Sequence, residues 1–154
     1  MAKIAVGSDH AGFELKKALL NFLARSGHEP ADLGARNRRP VDYPDLAEAV
    51  SKAVRSGQSR FGILVCGSGV GICIAANKMP GIRAALCHDS YSAAQSRAHD
   101  DANVLCLGSR VIGPDLALDL VRIWLKTGFS GEARHRRRIK KIALLEKKRG
   151  NLHS

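Results

Sequence analysis

Aromatic side chains make up only 5% of the 154 residues, so the interior has to be built from Ile, Leu, Val and Ala. Long apolar runs are missing as well. None approaches the roughly twenty residues that span a bilayer, and the opening MAKIAVGSDH lacks the apolar stretch of a secretory signal. A cytoplasmic protein without membrane contact is therefore expected. The four cysteines, at 66, 73, 87 and 106, include no Cys-x-x-Cys pair. That spacing argues against a zinc ribbon and against a disulfide framework, and leaves Cys73, Cys87 and Cys106 as small buried hydrophobes. Acidic residues are scarce, 14 against 25 Lys and Arg, for a formal charge of +11. The excess is local: residues 134–149 hold nine Lys or Arg and one Glu, and the rest of the chain is close to balance at +3. The basic segment has no interleaved aromatics and no recognisable reader motif, which favours a solvated helix face over a nucleic-acid surface.

The length suits one domain with a single core. Apolar periodicity predicts strands at 3–7, 29–33, 61–66, 83–87 and 104–107. Between them lie helical patterns over 13–25, from an Asp42 cap to about 55, from the glycine loop to about 78, over 90–99 and over 114–126. Alternation of this kind implies right-handed βαβ units, and so a doubly wound, Rossmann-like α/β fold with about five parallel strands. Residues 132–148 form a basic, amphipathic C-terminal extension whose stripe of Ile139, Ile142, Ala143 and Leu145 would lie on another surface, such as a second subunit.

The most informative stretch is FGILVCGSGVG, Phe61 to Gly71. A buried strand ends there in Cys66 and opens onto Gly67, Gly69 and Gly71, at the strand edge where open parallel sheets bind ligands. Glycines at that position let backbone N–H groups approach a negative oxygen. The dinucleotide fingerprint is not met, because its third small residue is replaced by Ile72, and Asp89 is a poor match for the ribose-binding acid. Ile72 also stands where a phosphatase-type cysteine loop needs arginine, and no Gly-Lys-Ser/Thr of a Walker A loop follows. A glycine turn that only packs a helix close to the sheet would need one glycine; three of them with a cysteine at the strand end read as a base beside an anion hole, the machinery of enolate chemistry. Asp9 and His10 follow the first strand at the same edge, and Arg110 follows the fifth. Arg134 and Arg138, four apart, share one helix face and suit a dianion. His99 by itself reads as a histidine placed at a helix C-terminus for its dipole.

Taken in order, GSDHAGFELK, VDYPDLA, CGSGVGICIAANK, GIRAAL, SRAHDDANVL, GSRVIG and ARHRRR resemble the type B ribose-5-phosphate isomerase family, which is related to the galactose-6-phosphate isomerase subunits. The resemblance covers nearly the whole chain up to about Leu145. It implies an aldose–ketose isomerase, without metal or cofactor, that interconverts ribose 5-phosphate and ribulose 5-phosphate. It also implies a homodimer, or a dimer of dimers, with sites shared between subunits. On this basis Cys66 is the general base, the backbone of Gly67, Ser68, Gly69, Val70 and Gly71 holds the enediolate oxygen, and Ser68, where many members have Thr, relays a proton. His99 opens the furanose ring with Asp9 and Tyr43 assisting, and His10, Arg110, Arg134 and Arg138 grip the phosphate. Asp100 stands in the sugar-binding position where members usually carry Asn, which removes two amide donors. A hexose 6-phosphate such as galactose or allose 6-phosphate is the neighbouring substrate reading. A phosphometabolite- or nucleic-acid-binding module is the reading from a different class.

Overall fold

The computed structural model describes residues 1–151. Its strands are β1 (Lys3–Ser8), β2 (Glu29–Asp32), β3 (Phe61–Cys66), β4 (Ala84–Leu86) and β5 (Val104–Gly108). The helices are α1 (Phe13–Arg25), α2 (Tyr43–Arg55), α3 (Val70–Ala76), α4 (Ser90–Ala98), α5 (Pro114–Lys126) and α6 (Ala133–Asn151). All pairings are parallel, in the order β2-β1-β3-β5-β4.

Strand alternation divides the core into two layers. Ile4, Val6, Ile63, Val65, Leu105 and Leu107 face α1, α4 and α5, where Leu15, Leu19, Leu23, Leu120 and Trp124 complete the packing. Ala5, Leu64, Cys66, Val104 and Cys106 face α2 and α3, against Val50, Ala53, Ile72 and Ala76. Each large aliphatic side chain buried this way is worth roughly 1.5–3 kcal/mol, which makes up for the scarcity of rings. The aromatic contribution is one edge-on pair, Phe61 and Trp124, with the Arg97 guanidinium over both rings.

Element ends depart from expectation where side chains take over backbone pairing. Helix α3 stops at Ala76 rather than near Lys78, because the Asn77 amide donates to the Ala84 carbonyl at 2.9 Å and accepts from the Ala84 N–H at 2.8 Å. Asp42 does occupy the N-cap of α2, but its side chain makes no capping bond there. Cys87 and Cys106 are buried as expected, whereas Cys73 is only partly so. Burial raises the Cys87 and Cys106 thiols above their ordinary pKa, keeping both protonated. Among the described residues no helix is long and apolar enough to cross a membrane.

The strand order positions the site. From β1 the chain runs outward to β2 and then returns past β1 to β3, so α1 and α2 cover opposite faces. The crevice at such a reversal lies at the carboxyl ends of β1 and β3, which here carry Asp9 and Cys66.

Candidate active site

A cleft of about 470 Å³ opens at this reversal, lined by Asp9, Tyr43, Cys66, Gly67, Ser68, Val70, Gly71, Arg110 and Val111. Cys66 is 4% exposed and sits at its floor, with one flank in the α2–α3 core. The loop turns back over the sulfur, and the Gly69 N–H points at Sγ from 3.1 Å. This turn requires glycine: Gly69 has φ +78°, and a Cβ there would lie 2.8 Å from the Leu107 carbonyl carbon. At Gly71 a Cβ would lie 2.6 Å from the Tyr43 ring, so a bare backbone is what brings Tyr43 to the wall.

The loop amides divide into two groups. Those of Gly69 and Val70 are engaged by Cys66 Sγ and by Ser68 Oγ, the latter at 3.1 Å. Among the described residues none accepts from the N–H of Gly67, Ser68 or Gly71. Preorganised donors without a partner, beside a thiol, are suited to stabilising a developing oxyanion. From the opposite wall Ser109 N–H donates to the Cys66 carbonyl and Arg110 N–H to the Gly67 carbonyl, both at 2.9 Å. Ser109 Oγ ties the same strand end to the Ala11 carbonyl at 2.8 Å.

Asp9 is buried, with its N–H on the Val65 carbonyl at 3.2 Å and its Oδ1 accepting from the Gly12 N–H at 3.1 Å. It is thus held by a turn at the cleft, three residues ahead of the Gly12 N-cap of α1. His10 accepts the Val41 N–H on Nδ1 at 3.3 Å, joining this turn to the loop ahead of Tyr43. Lys16, fully buried on α1, donates to Asp32 at 2.7 Å and to the Ala35 carbonyl, and so fixes the far end of that loop.

The other predicted residues form a separate group. His99 caps α4 and stacks on His135 of α6, with ring centroids 4.1 Å apart and an interplanar angle of 25°. His135 is 3% exposed, and its Nδ1 meets Ser130 Oγ at 2.6 Å. Burial and the neighbouring His99 and Arg134 hold the His135 imidazole below its usual pKa. Arg134 pairs with Glu132 at 2.7 Å, and Arg138 lies one turn further along the exposed face of α6. Asp100 accepts from the Gln95 amide at 3.1 Å. None of His99, Asp100, Arg134 and Arg138 lines the Cys66 cleft of the same chain. Three arginines therefore do not converge within one chain, and Arg110 is the guanidinium that borders the cleft. Sequence reasoning singled out neither His135 nor Ser109. The first lay within a run read as surface charge, and the second within GSRVIG, where Arg110 drew attention. Among the described residues no group of three or more His, Cys, Asp or Glu side chains is arranged to hold a metal ion.

The family model described as Ribose/Galactose Isomerase matches residues 4–142. The chain belongs to this family. It is 47% identical over 149 residues to ribose-5-phosphate isomerase B of Escherichia coli, covering 97% of this chain and 99% of that protein. A D-erythrulose-4-phosphate isomerase of Pectobacterium atrosepticum is 43% identical over 133 residues, covering 85% and 87%. Among solved structures, ribose-5-phosphate isomerase B of Clostridium thermocellum superposes with a TM-score of 0.93 at 53% identity, covering 95% of this chain and 98% of that one. The type B enzyme of Trypanosoma brucei gives 0.90 at 46% identity, covering 93% and 97%. The α/β architecture with its C-terminal helix is thus the fold of this isomerase family.

Proposed function

We propose that the protein is an aldose–ketose isomerase that interconverts D-ribose 5-phosphate and D-ribulose 5-phosphate through a cis-enediolate. The observation that carries this is a cysteine sulfur at the floor of a cleft, met by one N–H at 3.1 Å and flanked by the unpartnered N–H groups of Gly67, Ser68 and Gly71. Relatives named for the same conversion support it along the whole chain. In this reading the Cys66 thiolate removes the proton on C2 of the open-chain aldose, and electrons flow to the carbonyl oxygen. The loop amides take up the charge that develops there. Delivery of the proton to C1 completes the ketose, with Ser68 Oγ passing a proton between O1 and O2. A carbon acid next to a carbonyl needs this assistance, since each preorganised donor is worth about 3–4 kcal/mol in the transition state.

Ring opening needs an acid and the phosphate needs cations; in this reading His99 and two of the arginines come from the second group of residues. The functional unit in this proposal is a homodimer in which His99, Asp100, Arg134 and Arg138 of one subunit complete the Cys66 cleft of the other, with Asp9, His10, Tyr43 and Arg110 supplied locally. Exposed Val70 and Val111 at the cleft, Ile74 on α3, Tyr91 on α4, and Ile142, Leu144 and Leu145 on α6 are apolar surface that a second copy would cover. The protein functions in this reading as one domain in the cytoplasm.

Turnover of ribose 5-phosphate in a coupled assay, set against galactose 6-phosphate, allose 6-phosphate and erythrulose 4-phosphate, tests the assignment. The five-carbon substrate is expected to have the highest kcat/KM. A hexose phosphate turned over faster would move the protein to the neighbouring activity.

A further inference from the structure

Strand β4 ends too early to satisfy its neighbour. The pairing of β4 with β5 stops at Leu86 and Cys106, Cys87 N–H reaches the Cys106 carbonyl only at 3.4 Å, and the chain then turns off towards α4. The next inward donor on β5 is the Gly108 N–H, buried and without a β4 carbonyl to meet it. A side chain takes that place: Nε2 of His88 accepts from Gly108 N–H at 2.9 Å. A donor facing Nε2 puts the proton of the neutral ring on Nδ1.

Gly108 is the register partner of Cys66. The two residues after it hold the cysteine loop, through Ser109 N–H on the Cys66 carbonyl and Arg110 N–H on the Gly67 carbonyl. His88 itself does not line the cleft. We propose that His88 is a positioning residue of the Cys66 site, a side-chain rung that fixes the end of β5 from which the glycine loop is hung. Burial lowers the pKa of its imidazole, against a smaller opposing effect of Asp89, and so favours the neutral form that can accept. The kinetic consequence rests on the isomerase reading; the hydrogen bond to Gly108 does not.

Two variants separate the acceptor from mere bulk. In His88→Gln the side-chain oxygen can still accept from Gly108, whereas His88→Leu fills space without an acceptor. Amide exchange at Gly108 is expected to stay slow in the wild type and in the Gln variant, and to rise about tenfold in the Leu variant, as loss of one hydrogen bond implies. With ribose 5-phosphate, kcat should fall about tenfold in His88→Leu at a KM changed less than about twofold, and His88→Gln should recover most of it. If His88→Leu fails to fold, His88→Asn, polar but too short to reach Gly108, replaces it. Wild-type exchange and kcat in the Leu variant, or a Gln variant as impaired as the Leu variant, would overturn the proposal. If the wild type does not turn over ribose 5-phosphate, the isomerase reading fails separately. His88 is then judged by Gly108 exchange and by the rate at which iodoacetamide modifies Cys66: a change in Leu but not in Gln supports the proposal, and no change in Leu overturns it.

Discussion

Replacing Gly69 by alanine tests whether the direction of a single amide matters to turnover. The residue has φ +78°, and an added Cβ would meet Leu86 Cδ1 at 2.6 Å, the Leu107 carbonyl carbon at 2.8 Å and the Gly108 nitrogen at 3.0 Å. Leu86, 37% exposed, can move aside, but the Leu107–Gly108 peptide belongs to β5 and cannot. The left-handed backbone costs alanine about 1–2 kcal/mol. Overpacking against the peptide adds about 1–3 kcal/mol. A domain with about 5–15 kcal/mol of stability absorbs this and still folds. Relief of the clash has to rotate the loop, which takes the Gly69 N–H off the Cys66 sulfur. The same rotation re-aims the adjoining free N–H groups of Gly67, Ser68 and Gly71, and losing one such oxyanion donor lowers kcat about 10²–10³-fold. The assay pairs coupled ribose 5-phosphate kinetics with urea denaturation of the same preparation. Gly57→Ala is the control: φ is +80° there but nothing lies within 4 Å, so about 1–2 kcal/mol of stability should go without loss of rate. A Gly69→Ala protein that is destabilised yet turns over at the wild-type rate would refute the role given to this amide.

Other outcomes follow from the same structure. His88 and His135 both have lowered pKa values, so between those values and the ordinary 6.5 the unfolded chain binds more protons than the folded one. Stability should therefore fall as pH drops below about 6.5, and denaturation midpoints from pH 8 to pH 5 measure this; a midpoint that is flat or rises in acid contradicts it. Lys16→Met removes the buried donor of the Ala35 carbonyl and should cost about 1–3 kcal/mol in urea melts, while an unchanged midpoint would make that contact irrelevant to stability. Arg138→Ala is expected to raise KM for ribose 5-phosphate about tenfold at nearly constant kcat, the pattern of lost phosphate binding, and a kcat effect alone would argue against it. Exhaustive dialysis against EDTA should leave activity intact; loss restored by a divalent ion would point to a metal enzyme.

Much of the fold was legible because its signals are local. β3 is a continuous apolar run closed by glycines, α1 repeats Leu15, Leu19 and Leu23 on one face, and Pro114 opens α5. Strand order was not legible, since insertion of β5 between β3 and β4 depends on how the α3 and α4 crossovers pack on opposite faces. The Cys66 half of the site could be read because its chemistry lies within six consecutive residues at a strand end. The roles of His88 and Ser109 could not, because each acts through backbone groups far away in sequence. His99 looked like a helix-end histidine, and it is one. Its stack on His135 needed α6 to fold back across about 36 residues of chain, which periodicity does not encode.

The central claim is that the Cys66 sulfur is the base that moves the proton between C2 and C1. The direct measurement is solvent deuterium incorporation at C1 of ribulose 5-phosphate, together with kcat, for wild type and Cys66→Ala side by side, with circular dichroism showing both folded. The account predicts exchange and turnover in the wild type and a drop of at least about 10²–10⁴ in both for the alanine variant. Near-normal turnover by folded Cys66→Ala would contradict it.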